Sequence, residues 1–263
     1  MQRRLVLGFL TCVAALFDVA VGWQALAQLS GWIVGDANGM QYRVLLPEGY
    51  DNGRQYPVVL YLHQLDMGDY PEGLLKQVNA WFDTADFRSG HKCIVVMPML
   101  DQTGDKAGRL INFGGKRDGH TGEDNTIAAL KQVMARYSVD RRRIYVTGNS
   151  MGGMGAWELL LSYNALTGTR EHLFAAGLPV AGAHRTADPA TAAKLLRKVP
   201  IWSIHGGQDK EVSLDWDRTM ARLMTGSGTF RYTEDPTSGH AVWDRYYTRP
   251  AVWDWLFAQS VAG

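Results

Sequence analysis

The feature that most constrains this chain is a sharp turn predicted at Ser150. An apolar run, Ile144 to Thr147, leads directly into Gly148-Asn149-Ser150-Met151-Gly152. A strand that turns abruptly into a helix while exposing one side chain needs small neighbours, and the pattern G-x-S-x-G supplies them on both sides of the serine. The pattern therefore predicts that Ser150 presents its hydroxyl beyond the end of a buried strand.

A glycine-rich turn between a strand and a helix is also typical of phosphate-binding loops. The chain contains neither G-x-G-x-x-G nor G-x-x-x-x-G-K-[ST], so a nucleotide-binding turn is disfavoured. We therefore interpret Ser150 as a nucleophile. A serine hydroxyl is a weak nucleophile at neutral pH, and it needs an imidazole to take its proton and a carboxylate to orient that imidazole.

Seven histidines compete for the role of base. His240 follows the last predicted strand, in a turn that would present it to the crevice at the strand ends. His120 precedes a predicted helix and is the best alternative. We expect His205 to support a turn and His63 to orient a loop.

Asp209 is the preferred acid because it follows a predicted strand and a tight turn, between the nucleophile and the base in chain order. Glu211 is its nearest competitor, and Asp235 is a further alternative. Asp215 and Asp217 lie on the next predicted helix, where we expect them to face solvent.

From about residue 40 onward, short β-rich runs alternate with helical patterns. Strands are predicted at residues 41–46, 56–62, 93–97, 143–147, 175–180, 201–204 and 230–233. Helices are predicted at residues 123–137, 191–198, 214–224 and 249–259. Strands separated by helices indicate the α/β class, with a mainly parallel central sheet and helices on both faces.

The chain has no internal repeat and no linker rich in Pro, Gly or Ser, so we predict a single domain over residues 28–263. Two less regular segments, 66–92 and 101–121, leave strand ends in this arrangement. Because ligands bind at the carboxyl ends of parallel strands, we expect these segments to shape a site.

Residues 1–27 are predicted to be a cleaved secretory signal peptide. Gln2 to Arg4 form a basic start, the apolar run 5–17 is too short to span a bilayer, and Ala25-Leu26-Ala27 supplies a cleavage site. An N-terminal anchor helix is the alternative, but Asp18 interrupts the apolar run. We therefore expect a secreted or periplasmic protein with no integral membrane segment after cleavage.

Composition narrows the classes of partner and cofactor. A formal net charge of +1 gives no electrostatic footprint for nucleic acid or an anionic membrane. The sequence has no H-E-x-x-H and no cysteine cluster, so neither a metal nor an organic cofactor is predicted. Cys93 lies in an apolar run and is expected to be a small buried residue.

Three segments of this chain carry a resemblance to a known family: RRRIYVTGNSMGGMGAWEL, PIWSIHGGQD and TSGHAVWDRYYTRPAVWDWLFAQ. Over roughly residues 40–260 the chain resembles the α/β-hydrolase superfamily, and more closely the secreted esterases and predicted peptidases related to feruloyl esterases and polyhydroxybutyrate depolymerases. The resemblance implies that Ser150 is the nucleophile, Asp209 the acid and His240 the base.

The resemblance also implies an oxyanion hole made of two backbone N–H groups, one of them that of Met151. The family usually follows its strand with His-Gly, whereas this chain has His63-Gln64-Leu65. Because Gln64 restricts the backbone, we assign the second donor to Leu65, with Gln64 as the alternative.

The expected function is therefore that of a serine carboxylesterase acting on small-molecule or polymer-linked esters, such as acetyl, feruloyl or other aryl esters. A serine peptidase of the same fold is the alternative. A third hypothesis is an inactive hydrolase fold that binds a ligand through Trp81, Phe82 and Trp243, although such aromatics are more often part of a core.

Overall fold

The computed structural model describes residues 31–65, 72–100, 113, 116–117, 120–165, 173–184 and 187–261. The predicted signal peptide and most of the irregular segment 101–121 lie outside the described residues.

One eight-stranded sheet forms the centre of the fold. Its strands are β1 Trp32–Ala37, β2 Met40–Leu45, β3 Tyr56–Leu62, β4 Ile94–Pro98, β7 Val139–Asn149, β8 Ala176–Val180, β9 Ile201–Gly206 and β10 Phe230–Asp235. The short strands β5 Lys116–Arg117 and β6 His120–Thr121 pair separately.

The spatial order of the sheet is β1-β2-β4-β3-β7-β8-β9-β10. Every pairing from β4 to β10 is parallel, whereas β1–β2 and β2–β4 are antiparallel. The prediction of a mainly parallel sheet is confirmed. The carboxyl ends of six strands therefore lie at one edge, which is where the candidate site forms.

Eight helices are described: α1 Glu72–Phe82, α2 Ala85–Gly90, α3 Gly122–Arg136, α4 Met151–Leu160, α5 Pro189–Leu195, α6 Asp215–Leu223, α7 Trp243–Tyr246 and α8 Pro250–Phe257. A π-helical turn, Leu161–Ala165, continues α4. None of the described helices is long and apolar enough to cross a membrane.

The helices cover both faces of the sheet. Alternate residues of a strand point to opposite faces, so a strand that is apolar throughout needs helices on both sides. On β3, Val58 and Leu60 belong to one apolar cluster, together with Leu130 of α3. Val59 and Tyr61 belong to the other cluster, with residues of α1, α2 and α8. The nearly continuous apolar character of β3 follows from this two-sided burial.

The predicted irregularity of residues 66–92 is wrong for most of this segment, which contains α1 and α2. α1 buries Leu74, Val78 and Trp81 against the sheet. Thr84 begins α2, and its hydroxyl accepts a hydrogen bond from the Phe87 N–H at 3.2 Å. These helices are short, and their apolar spacing spans only two or three turns, so the periodic signal in the sequence is weak.

The hairpin β1–β2 extends the sheet on the N-terminal side of the first predicted strand. Its turn is Asn38-Gly39, and both residues have positive φ, 55° and 81°. An Asn-Gly pair between strand-like runs is a strong hairpin signal, so the sequence contained the information that locates β1.

Candidate active site

Ser150 occupies a strained turn between β7 and α4. Its φ of 55° and ψ of −118° are unfavourable for any residue with a Cβ, and such conformations cost about 1–3 kcal/mol. The Ser150 N–H donates to the Val180 carbonyl at 3.0 Å, and the Ser150 carbonyl accepts from the Met154 N–H at 3.0 Å. Hydrogen bonds on both sides of the turn therefore hold the residue in place.

Gly152 allows this turn to lie against the end of β3. A Cβ at Gly152 would overlap the Leu62 carbonyl oxygen and come within 2.8 Å of the His63 carbonyl oxygen. Gly148 is similarly restricted by the Gly152 backbone. The two glycines of G-x-S-x-G are thus required by close backbone contacts rather than by their own dihedral angles.

The structure brings Ser150, His240 and Asp209 together in one hydrogen-bonded chain. Ser150 Oγ lies 2.8 Å from His240 Nε2, and His240 Nδ1 lies 2.7 Å from Asp209 Oδ2. An ionised carboxylate only accepts hydrogen bonds, so His240 carries its proton on Nδ1 and leaves Nε2 free to accept from the serine hydroxyl. This tautomer is the one that general-base catalysis requires.

His240 is held at the sheet edge by the loop that follows β10. The Asp235 carboxylate starts this loop by accepting from the Thr237 N–H at 3.0 Å and the Thr237 hydroxyl at 2.8 Å. A Cβ on Gly206 would overlap the Gly239 carbonyl oxygen, so the end of β9 lies directly against the loop. The ring of Trp243 packs edge-on against His240, with centroids 5.0 Å apart.

Asp209 is a buried carboxylate with four hydrogen-bond partners. Its Oδ1 accepts from the N–H groups of Glu211 at 2.8 Å and Val212 at 3.0 Å, and its Oδ2 faces His240 and, at 3.0 Å, His205 Nε2. Burial opposes ionisation, but the hydrogen bonds from His240 and the two backbone N–H groups outweigh it, and the pKa of Asp209 lies below its ordinary value. The carboxylate is therefore charged at neutral pH.

The alternative acids occupy other positions. The Glu211 side chain is 72% exposed, and its carboxylate lies 3.7 Å from His240 Nε2, the nitrogen that faces the serine. Asp235 is engaged with Thr237 and with Arg245 at 2.9 Å. The alternative base His120 lies in β6, and the placement of its side chain is outside the described part of the chain.

The expectation that Asp217 faces solvent is wrong. Asp217 is fully buried, and its Oδ2 lies 2.7 Å from His205 Nδ1. The sequence contained a signal, because Asp217 shares one face of α6 with the buried residues Trp216 and Met220 at helical spacing. The support that His205 was expected to give is directed at Asp209 itself.

The loop after β3 is oriented by His63, as predicted. The Leu100 N–H donates to His63 Nε2 at 3.0 Å, so the ring carries its proton on Nδ1, which lies 2.7 Å from the Gln64 carbonyl oxygen. In a trans peptide the C=O and the following N–H point in opposite directions. The Leu65 N–H is therefore directed away from the His63 ring.

The Gln64 side chain connects this loop to the residue before the nucleophile. Gln64 Oε1 accepts from Asn149 Nδ2 at 2.9 Å, and Gln64 Nε2 donates to Gln77 of α1 at 2.5 Å. Asn149 also accepts from the Tyr61 hydroxyl at 2.8 Å. The Gln64 side chain thus joins the loop after β3 to β7 and α1.

The three aromatics considered as an exposed binding platform, Trp81, Phe82 and Trp243, are buried. They belong to the apolar cluster that covers the β3 face of Tyr61, so they do not form a platform. Cys93 is also buried, as expected. Across the ranges that the structure describes, no group of three or more His, Cys, Asp or Glu side chains is arranged to hold a metal ion.

Comparisons with known proteins agree with this geometry. Residues 37–166 match the family described as putative esterase, a range that includes Ser150 and ends before Asp209. The probable feruloyl esterase C of Aspergillus terreus (strain NIH 2624 / FGSC A1156) is 30% identical over 124 residues, which cover 46% of this chain and 40% of the relative. The match thus spans less than half of the relative's length.

Solved structures resemble the fold over most of the chain. A thermostable esterase matches with a TM-score of 0.69 and 23% identity, covering 88% of this chain and 63% of that one. A ferulic acid esterase matches with a TM-score of 0.62 and 17% identity, covering 86% and 97%. The chain therefore has the α/β-hydrolase fold of these esterases, and just under half of it, residues 37–166, matches the esterase family.

Proposed function

We propose that this protein is a serine carboxylesterase in which Ser150, His240 and Asp209 form the catalytic triad. The observation that carries the proposal is the 2.8 Å contact between Ser150 Oγ and His240 Nε2, on a turn whose backbone strain exposes the serine. The proposal extends to residues 28–263 as a single catalytic domain.

In the proposed reaction, His240 Nε2 takes the proton of Ser150 as the serine oxygen attacks the ester carbonyl. Asp209 stabilises the resulting imidazolium through Nδ1. His240 then protonates the departing alcohol, and an acyl group remains on Ser150. A water molecule, deprotonated by His240, attacks the acyl-enzyme and releases the acid, which returns the serine hydroxyl to its starting state.

The N–H groups of Met151 and Leu65 are the proposed donors to the oxyanion. Met151 is the first residue of α4, and the first N–H groups of a helix have no partner within it, so they are available to a negative charge. The Gln64–Leu65 peptide is oriented by His63, which favours Leu65 over Gln64 as the second donor. Loss of one such donor reduces the rate by about 10²–10³.

The proposed substrates are carboxylic esters, either as small molecules or linked to a polymer, with feruloyl and other aryl esters as the first candidates and acetyl esters as the second. The relative that is named a feruloyl esterase supports this choice. Esters are favoured over peptides because an alkoxide leaves a tetrahedral intermediate more readily than an amine.

Hydrolysis of p-nitrophenyl acetate tests the enzyme class. The wild-type protein is expected to turn the ester over, and an organophosphate is expected to inactivate it with a single adduct on the peptide that contains Ser150. Ser150→Ala abolishes both results, whereas Ser89→Ala, at an exposed hydroxyl on α2, retains both. Turnover by Ser150→Ala equal to that of the wild type would exclude this mechanism.

A matched substrate panel separates the classes of acyl and leaving group. Methyl ferulate, an acetylated sugar, a soluble polyester and a peptide p-nitroanilide are compared by kcat/KM. The highest value for methyl ferulate supports the aryl preference, and the highest value for the anilide assigns the protein to the peptidases instead.

We also propose that the protein is exported after removal of residues 1–27. Expression of the full chain in a secreting host, followed by intact mass measurement of the protein outside the cytoplasm, is expected to give a chain that starts near Gln28. Recovery of the full-length chain in the cytoplasmic fraction would contradict export.

A further inference from the structure

The carboxylate of Asp209 lies between two histidines rather than beside one. Its Oδ2 is 2.7 Å from His240 Nδ1 and 3.0 Å from His205 Nε2. The other ring nitrogen of His205, Nδ1, lies 2.7 Å from Asp217 Oδ2. The side chains of His205, Asp209 and Asp217 are fully buried, so the chain of hydrogen bonds continues from the nucleophile into the core.

The number of protons shared by His205 and Asp217 follows from their hydrogen-bond partners. A neutral imidazole has a single N–H, yet both ring nitrogens of His205 face carboxylate oxygens. One additional proton is therefore required, either on the ring, next to a charged Asp217, or on Asp217, next to a neutral ring. In both arrangements the pair has no net charge, and an N–H of His205 faces Asp209.

Burial and the neighbouring charges support this count. Burial raises the pKa of Asp217. Burial also opposes protonation of His205, but the carboxylates of Asp217 and Asp209 outweigh it and raise the pKa of His205. Two ionised carboxylates on either side of a neutral, buried ring would leave a charge without compensation, which is strongly unfavourable.

The other polar groups around His205 do not change the net charge of the His205–Asp217 pair. Glu234 of β10 is paired with His205 in register, and its charge is held by Arg218 at 2.8 Å and by the Tyr232 hydroxyl at 2.8 Å. The Val212 carbonyl lies 3.3 Å from Nε2. The Ser203 hydroxyl and the Trp157 indole lower the pKa of Asp217 slightly against the larger effect of burial, but within the described part of the chain neither forms a hydrogen bond, and nor does Asp217 Oδ1.

We propose that His205 and Asp217 are positioning residues for the proposed hydrolysis: His205 donates a second hydrogen bond to the Asp209 oxygen that receives the His240 N–H, and Asp217 orients His205 for this contact. The inference rests on the proposed function. Because Asp209 Oδ2 accepts from two imidazole N–H groups, it stabilises the imidazolium of His240 less than it would without the His205 donor. Removal of the His205 donor is therefore expected to change the acid limb of the kcat/KM profile.

The pH dependence of kcat/KM tests this role. In His205→Leu, Asp209 Oδ2 keeps only the His240 N–H while Oδ1 keeps its two backbone donors. The acid limb of the profile is therefore expected to move to higher pH, and kcat is expected to fall about ten- to a hundred-fold through lost orientation. His205→Gln retains an amide N–H donor and is expected to restore most of kcat. His91→Leu, at a histidine paired with Asp254 at 3.0 Å before β4, is the matched control and leaves the profile unchanged.

Asp217→Asn gives a second, sharper test. The asparagine amide can donate to His205 Nδ1, so the neutral ring keeps its N–H on Nε2 and the pair keeps zero net charge. We expect kcat within about three-fold of the wild type for Asp217→Asn and a loss of at least ten-fold for Asp217→Ala. Equal losses in the two variants would overturn the proton count.

Proton NMR provides a readout that does not depend on activity. The folded wild type is expected to show two imidazole N–H resonances far downfield, one from His240 and one from His205. His205→Gln is expected to remove the resonance of His205. This variant keeps a side-chain donor, so it can be measured even if His205→Leu fails to fold. A single downfield resonance in the wild type, unaffected by His205→Gln, would overturn the proposal.

Failure of this inference is distinguishable from failure of the proposed function. If the wild type hydrolyses no ester, or does so independently of Ser150, the function itself is wrong. If hydrolysis depends on Ser150 but folded His205→Leu has the kcat and the acid limb of the wild type, then only the positioning role is wrong.

Discussion

The side-chain oxygen of Gln64 lies 2.9 Å from the amide nitrogen of Asn149, so the loop after β3 is hydrogen-bonded to the residue that precedes Ser150. Gln64 also contacts Gln77, which connects the same loop to α1. The proposed oxyanion donors, on Leu65 and Met151, therefore belong to two backbone segments that one side chain joins.

Gln64→Leu tests this connection. The substitution leaves the buried Asn149 amide without its acceptor, so we expect a loss of about 1–3 kcal/mol in the free energy of unfolding and a roughly ten-fold lower kcat from a loosened oxyanion loop. Gln132→Leu removes a comparable hydrogen bond, from the Tyr42 hydroxyl at 2.8 Å, and is expected to affect stability alone. Ester kinetics and urea unfolding measure both effects. An unchanged kcat in Gln64→Leu would contradict the connection.

Ser150→Gly and Ser150→Ala separate strain from catalysis. Both variants lack the hydroxyl and are expected to lose at least about 10³-fold in kcat. The alanine keeps the Cβ at a φ of 55°, whereas glycine adopts this conformation without steric cost. We therefore expect urea unfolding to show Ser150→Gly as the more stable variant by about 1 kcal/mol. Equal stabilities would mean that the turn stores no strain.

Gly152→Ala introduces a Cβ where the Leu62 carbonyl oxygen already lies. Because backbone atoms on both sides must move, we expect the free energy of unfolding to fall by about 1–3 kcal/mol and ester hydrolysis to be lost as the turn shifts. Gly90→Ala, where an added Cβ would meet open space, is the matched control and should be close to neutral. Wild-type kcat in Gly152→Ala would show that the close contact is dispensable.

Asp235→Asn tests how the loop that carries His240 depends on pH. Burial opposes ionisation of Asp235, but hydrogen bonds from Thr237 and the charge of Arg245 outweigh it and lower its pKa to about 2. The stabilisation is therefore complete above the ordinary pKa of 3.8 and is lost as the pH falls through about 2.

At pH ~7 we expect Asp235→Asn to be less stable than the wild type by about 1–2 kcal/mol, and we expect this difference to shrink steadily below pH ~4. Urea unfolding at several pH values measures it. The exposed carboxylate of Glu48 provides the control, since Glu48→Gln should change stability little at any pH. A constant difference between Asp235→Asn and the wild type down to pH ~2 would contradict the assignment.

The sequence was sufficient to predict the features that depend on a few neighbouring residues. The apolar runs predicted the strands at residues 56–62 and 143–147, and G-x-S-x-G predicted the strained turn at Ser150. These features follow from steric limits on the backbone and from the period of side chains along a strand, both of which are properties of short segments.

Only the tertiary structure shows which side chains distant in sequence form hydrogen bonds with one another. His240 lies 90 residues from Ser150 and 31 from Asp209, and only the order of the sheet brings these three side chains to one edge. The same holds for Asp217, whose helix could turn its first acidic residues to solvent or to the core, and for Gln64, whose amide partners come from β7 and α1. The burial and the hydrogen-bond partners of a residue depend on what packs against it. A local segment therefore determines which turn forms, whereas the packed sheet determines which imidazole and which carboxylate meet at that turn.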